Sequence, residues 1–181
     1  LVQAKAKIDQ VDCSGKTALI HAADHSRVGN VRYLLRMNFA MLNQVSNTGR
    51  TALSFAASKR YNNENEVLRF LLQAKADVDQ ADKEGVTSLM YASVASDVCE
   101  NLSVLIEAKA SVHLQDSQGE TALFKAVAAF RQLPYDEGYS DPVSLLIESK
   151  ADVNKVNQKG VTPLIIAAGD PDDSGPLGGG A

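Results

Sequence analysis

The stretch DKEGVTSLMYAS, Asp82 to Ser93, returns with the same skeleton as SNTGRTALSFAA from Ser46, DSQGETALFKAV from Asp116 and NQKGVTPLIIAA from Asn157. Its glycines, with one earlier copy, are Gly15, Gly49, Gly85, Gly119 and Gly160, separated by 34, 36, 34 and 41 residues. Each is followed two positions later by Thr and four later by Leu, giving Thr17/Leu19, Thr51/Leu53, Thr87/Leu89, Thr121/Leu123 and Thr162/Leu164. Fixed offsets at a nearly constant step mark an internal repeat. Units of this length cannot bury a core alone, so they must stack on their neighbours.

Within a unit, Gly reads as a turn position that benefits from having no Cβ, and Thr as a helix cap whose hydroxyl accepts an exposed amide. Leu and the small residues behind it supply a closely packed first-helix face. A second helical segment follows in VRYLLR, EVLRFLLQA, LSVLIEA and VSLLIES. The connecting strings KAKIDQVD, FAMLNQVS, KADVDQAD, KASVHLQD and KADVNKVN alternate in character around Ile8, Leu42, Val78, Val112 and Val153. They read as extended segments with one anchored side chain per projecting hairpin.

This pattern resembles the ankyrin-repeat family, whose motif runs Gly-x-Thr-Pro-Leu-x-x-Ala-Ala and later Leu-Leu with a Gly-Ala-Asp-Val-Asn-like end. GVTPLIIAA from Gly160 is the nearest copy, while Ala18, Ala52, Ser88 and Ala122 stand where the family has Pro. The resemblance implies an all-α solenoid of stacked helix pairs with projecting β-hairpin loops. It covers residues 1–169, beginning inside a repeat and ending in a partial one, with 170–181 as an acidic, Gly-rich flexible tail. The opening LVQAKAKIDQ is expected to be the end of a unit that starts upstream.

Two departures carry physical content. The family's Gly after the second helix is replaced by Lys5, Lys75, Lys109 and Lys150, and by Phe39 in the remaining copy. If the backbone there is left-handed, each non-Gly residue costs about 1 kcal/mol. Extra residues also occur around KRYNNENE and, more extensively, FRQLPYDEGYSDP, both expected between the two helices of a unit, where longer loops are tolerated. The second insertion carries Phe130, Leu133, Tyr135 and Tyr139, aromatic and apolar enough to grip a partner or fold back on the helices.

Composition supports a folded chain without choosing its role: 181 residues are 45% hydrophobic and 22% charged, with net charge -4. That balance argues against a generally basic nucleic-acid clamp. Arg27, Arg32, Arg36, Lys59 and Arg60 read as dispersed among acidic units, so nucleic acid is not the expected partner. No run of about 20 apolar residues predicts membrane insertion. Cys13 and Cys99, far apart, suggest a reducing cytoplasmic or nuclear setting rather than a disulfide framework.

Catalytic signals are weak. His21 and His25 are four apart on one helix face but bring no third metal ligand, and neither cysteine sits in a nucleophile elbow. No phosphate-cradling loop occurs, and Asp170, Asp172 and Asp173 read as a solvated tail. No cofactor or metal is expected, and an enzyme is expected only if the parent chain carries one elsewhere.

The resemblance instead implies protein–protein recognition on a concave surface of hairpin tips and first helices. Tip candidates include Asn47, Thr48, Lys83, Glu84, Ser117 and Gln118, together with Cys13/Ser14 and Gln158/Lys159. Arg50 adjoins them, and Phe55, Tyr91, Phe124 and Lys125 are the first-helix candidates. The expected partner is a protein or extended peptide. The alternative is a structural repeat region that packs against other domains of its own parent chain.

Overall fold

The computed structural model describes residues 7–37, 41–59, 65–95, 99–130 and 141–169. The described residues form nine helices and no strand: α1 (Ala18–Asp24), α2 (Val28–Met37), α3 (Ala52–Ala57), α4 (Glu66–Gln73), α5 (Ser88–Val94), α6 (Glu100–Glu107), α7 (Ala122–Phe130), α8 (Pro142–Glu148) and α9 (Pro163–Ala168). Helices α1, α3, α5, α7 and α9 pack in sequence as one row, while α2, α4 and α6 form a second. Helix pairing within each unit joins the rows, giving the all-α repeat solenoid.

The repeated motif folds locally as its chemistry requires. Thr17, Thr51, Thr87 and Thr162 have extended backbone, and each motif Thr accepts a hydrogen bond three residues on: Thr17 from Ile20 N, Thr51 from Ser54 N, Thr87 from Met90 N, Thr121 from Phe124 N and Thr162 from Ile165 N, at 3.2–3.4 Å. Each satisfies a helix-start amide and contributes about 1 kcal/mol. The five motif glycines have φ between 73° and 84°. Gly49 also lies so close to the next unit that a Cβ would come within 2.6 Å of Lys83 N.

The lysines that replace Gly after the second helices occupy the expected left-handed region, with φ of 68° at Lys75 and Lys109 and 69° at Lys150. Lys5 and Phe39 lie outside the described residues. Ser26, at φ 51° between α1 and α2, is a further left-handed residue that the motif reading missed.

The connecting strings fold as tight turns rather than extended segments. Among the described residues their strand-like pairing is limited to single bridges, Val11 with Thr17 and Val45 with Thr51. Of the proposed anchors, Leu42 and Val112 are buried, Ile8 and Val78 half-buried, and Val153 exposed.

The core runs along the stack through Leu19, Leu53, Leu89, Leu123 and the second-helix residues Val31, Leu71, Leu105 and Leu146. The bounds of α3/α4 and α7/α8 place both insertions between the helices of a unit. Residues 60–64 and 131–140, and thus Leu133, Tyr135 and Tyr139, lie outside the described residues. The side chain of Phe130 and the tail from 170 onward do so as well.

Candidate functional site

One face of the array is made by hairpin tips and by the residue four positions after each motif Thr. The tips form a ladder across units: Asn47 N donates to Ser14 O, Lys83 N to Thr48 O, Ser117 N to Glu84 O and Gln158 N to Gln118 O, at 2.7–3.2 Å. Side-chain amides reinforce it, Asn47 donating to Cys13 O and Gln158 to Ser117 O. With the backbone thus committed, Thr48, Lys83, Glu84, Ser117 and Gln118 leave exposed side chains in a row.

Below the tips, an acidic residue performs two tasks. In three units, one carboxylate oxygen of Asp12, Asp82 or Asp116 accepts two amides of its own turn: Ser14 and Lys16, Glu84 and Val86, or Gln118 and Glu120. The other oxygen reaches the side chain nine residues on. Asp12 meets His21 Nε2 at 2.8 Å, Asp82 accepts from Tyr91 OH at 2.6 Å, and Asp116 pairs with Lys125 Nζ at 2.6 Å. The shared register welds the tip to its first helix while changing the chemical partner in each unit.

These contacts shift the ionisable groups. For Asp116, burial opposes ionisation, but Lys125 and two backbone amides together hold the carboxyl below its usual range. Burial likewise opposes the charge on Lys125, yet hydrogen bonds to Asp116 and Glu120 raise its pKa. Tyr91 is pushed up to about 12 by burial and by its bond to Asp82. The hydrogen bond from Ser14 and the turn amide of Lys16 depress Asp12.

Between these anchors runs a cation–aromatic stack. Lys16 Nζ and the Arg50 guanidinium both lie over Phe55, at 4.5 and 4.1 Å from its centroid, and Arg50 also lies 4.0 Å from the centroid of Tyr91. Arg50 donates to Ser54 O and Ser58 Oγ as well. Asp24 binds both Lys16 at 2.8 Å and Lys59 at 2.6 Å, joining the first two units. Burial works against its ionisation, but the two lysines outweigh it and hold Asp24 at about 2.

The structure therefore separates the eleven contact candidates. Asn47, Thr48, Lys83, Glu84, Ser117 and Gln118 are exposed, whereas Arg50, Tyr91 and Lys125 are half-buried and occupied by neighbours. Phe55 is 8% exposed and Phe124 3%. Of the first-helix contact candidates, these two therefore pack rather than present a surface: Phe55 is covered by Lys16 and Arg50, and Phe124 sits three positions after Thr. That position is buried in the first four units as Ile20, Ser54, Met90 and Phe124. Aligning the units on Thr would have distinguished this position from the next one, which carries His21, Phe55, Tyr91 and Lys125.

The other chemical candidates gain little. His21 and His25 stack with ring centroids 6.1 Å apart, and among the described residues no group of three His, Cys, Asp or Glu side chains is arranged to hold a metal. Burial and Asp141 push the Cys99 thiol up to about 11, disfavouring the nucleophilic thiolate. No described helix is long and apolar enough to cross a membrane. The basic residues require another correction: no Asp or Glu lies between Asp24 and Glu64, so Arg27, Arg32, Arg36, Arg50, Lys59 and Arg60 form an uninterrupted cationic segment.

A family model for ankyrin repeats matches three times, over residues 1–82, 38–112 and 60–135. No curated protein matches the chain in a sequence comparison. Repeats of this family generally serve as protein–protein interaction modules and are typically non-catalytic. The matched motif, the capped first helices and the stacking of helix pairs place the chain in the ankyrin-repeat family.

Proposed function

We propose that this array is a non-catalytic recognition or scaffolding module that takes a protein or extended peptide along its concave face of tips and first helices. The supporting observation is the amide-to-carbonyl ladder from tip to tip, which commits the backbone while leaving Thr48, Lys83, Glu84, Ser117 and Gln118 exposed. Such a comb presents polar side chains at fixed intervals with little ordering left to occur on binding. The stacked Arg50 and Tyr91 stiffen its floor.

A second reading, as a structural region packed inside a larger protein or assembly, draws on Leu164 and Ile165, 75% and 43% exposed. Affinity capture from a lysate, followed by cross-linking, distinguishes the two. The native array should retain a protein cross-linked at the tips, and an array with Lys83→Ser, Glu84→Ser and Ser117→Ala should lose it at unchanged helical circular dichroism. Retention with cross-links at the α9 face instead would favour the structural reading. Phe124→Ala is a poor probe because it opens the core.

A further inference from the structure

Charge is segregated along this chain to a degree that its net value conceals. Residues 13–63 contain seven Lys and Arg and a single acidic residue, Asp24, while residues 64–181 contain nine Lys and Arg against nineteen Asp and Glu. The first stretch is therefore +6 and the second -10. The one carboxylate of the basic stretch lies beside the first-helix row, where Lys16 and Lys59 converge on it from two units. Arg50 shares the Phe55 ring with Lys16. Three cations thus gather about Phe55 with one carboxylate among them.

The contact with Asp24 does not exhaust the two lysines. Lys59 Nζ donates to Asp24 Oδ1 at 2.6 Å and Lys16 Nζ to Oδ2 at 2.8 Å, one oxygen each. An ammonium carries three N–H donors, so both keep donors for a second acceptor. The side chains of Lys16 and Lys59 are 22% and 34% exposed. This exposure belongs to the side of the stack: the position of Lys16 is held by Arg50, Val86 and Glu120 in the next three units and stays half-buried in each, although each of those units has a neighbour on both sides. Lys59 itself lies in a unit packed between two others. The fourth unit inverts the arrangement, with the single cation Lys125 set between the carboxylates of Asp116 and Glu120. Excess positive charge on this face is thus local to the first two units.

We propose that Lys16 and Lys59 form an anion subsite of the recognition face, which takes a carboxylate side chain of the bound peptide beside Asp24. The proposal rests on the protein-recognition reading of the array and names the ligand's chemistry there: an extended peptide with an acidic residue over the first two units. Charge complementarity selects this occupant. Arg50, held between Phe55 and Tyr91, adds to the positive field without having to move. The -10 of residues 64–181 opposes a nucleic-acid polyanion that would run on along the stack, whereas a single acidic side chain avoids it. Asp24 holds the two ammonium groups together, and its own charge repels the incoming carboxylate.

Fluorescence anisotropy of the full chain with a labelled short peptide of glutamates set among serines tests this directly. Controls are the corresponding lysine–serine peptide and a single-stranded DNA oligomer of equal charge. The glutamate peptide should bind, weaken with added salt and lose about fivefold in affinity with Lys16→Gln and with Lys59→Gln, each removing one charge-assisted contact at a partly exposed site. Asp24→Asn keeps the side chain's shape but removes the competing charge, and should raise affinity about threefold. Arg36→Gln takes the same charge from α2, outside the first-helix row, and should change affinity by less than about twofold. Circular dichroism should show all four variants folded.

Equal losses with Arg36→Gln and the two lysine variants would assign binding to the charge of the whole stretch and overturn the subsite. A fall or no change in affinity with Asp24→Asn would overturn it as well, because the carboxylate would then not compete with the ligand. No binding of the glutamate peptide, or equal binding of the lysine peptide, would overturn the proposed ligand chemistry, while a lysate protein lost with the tip variant would leave the recognition reading standing. Binding of the glutamate peptide that depends on Lys16 and Lys59, without tip-dependent capture, would support the subsite and set aside the tips. Preferential DNA binding would replace the acidic-peptide proposal with nucleic-acid recognition.

Discussion

Leu89 and Leu164 occupy the same motif position, two residues after a capping Thr, yet Leu89 is 0% and Leu164 75% exposed. Their local instructions are alike: Thr87 caps through Met90 N and Thr162 through Ile165 N. What differs is the neighbour. Helix α5 packs between α3 and α7, while α9 has a first-helix contact with α7. In this array the helix start is encoded within a unit, whereas burial is conferred by the unit beside it.

The largest break in this comparison should come from removing the two leucines. Leu89→Ala deletes buried atoms and leaves a cavity, so it should destabilise the fold by about 3 kcal/mol. Leu164→Ala, at an exposed site, should change stability by less than about 0.5 kcal/mol. Urea unfolding followed by helical circular dichroism measures both. Comparable losses would mean that α9 is covered in solution.

A smaller effect should separate Gly49 from Gly160. Both are left-handed, with φ of 84° and 74°, so either Ala substitution carries about 1 kcal/mol of backbone strain. At Gly49 the new Cβ would also approach Lys83 N within 2.6 Å, while at Gly160 it meets nothing within 4 Å. Gly49→Ala should therefore cost about 2–3 kcal/mol in total, with Gly160→Ala near 1 kcal/mol. Hydrogen exchange at the tip amides would locate the difference, because opening Gly49 should loosen the Lys83 to Thr48 bond.

The same distinction governs what could be read before the structure. Gly, Thr and the left-handed lysines act within a few residues, so their spacing sufficed to identify turns, caps and strained helix ends. Lys59 meets Asp24 across 35 residues, and Arg50 enters between Phe55 and Tyr91 only when two units are brought together. Those relations depend on stacking. Phe55 and Phe124 looked alike as aromatic first-helix residues, but adjacent positions after Thr give them different surroundings. The basic block is a property of the sequence alone, since no Asp or Glu lies between Asp24 and Glu64, and the reading of its cations as dispersed among acidic units overlooks that gap.

The smallest predicted effect tests the local half of the comparison. Lys109 and Lys150 share a left-handed backbone, φ 68° and 69°, although Lys109 lies within the stack and Lys150 after α8. Replacing either with Gly removes about 1 kcal/mol of side-chain strain but gives the unfolded chain more freedom, offsetting about half of it. Lys109→Gly and Lys150→Gly should each stabilise by about 0.5 kcal/mol, measured by the same urea titration. Equal gains would confirm that this strain belongs to the backbone turn; a gain confined to Lys109 would require the neighbouring unit to help impose it.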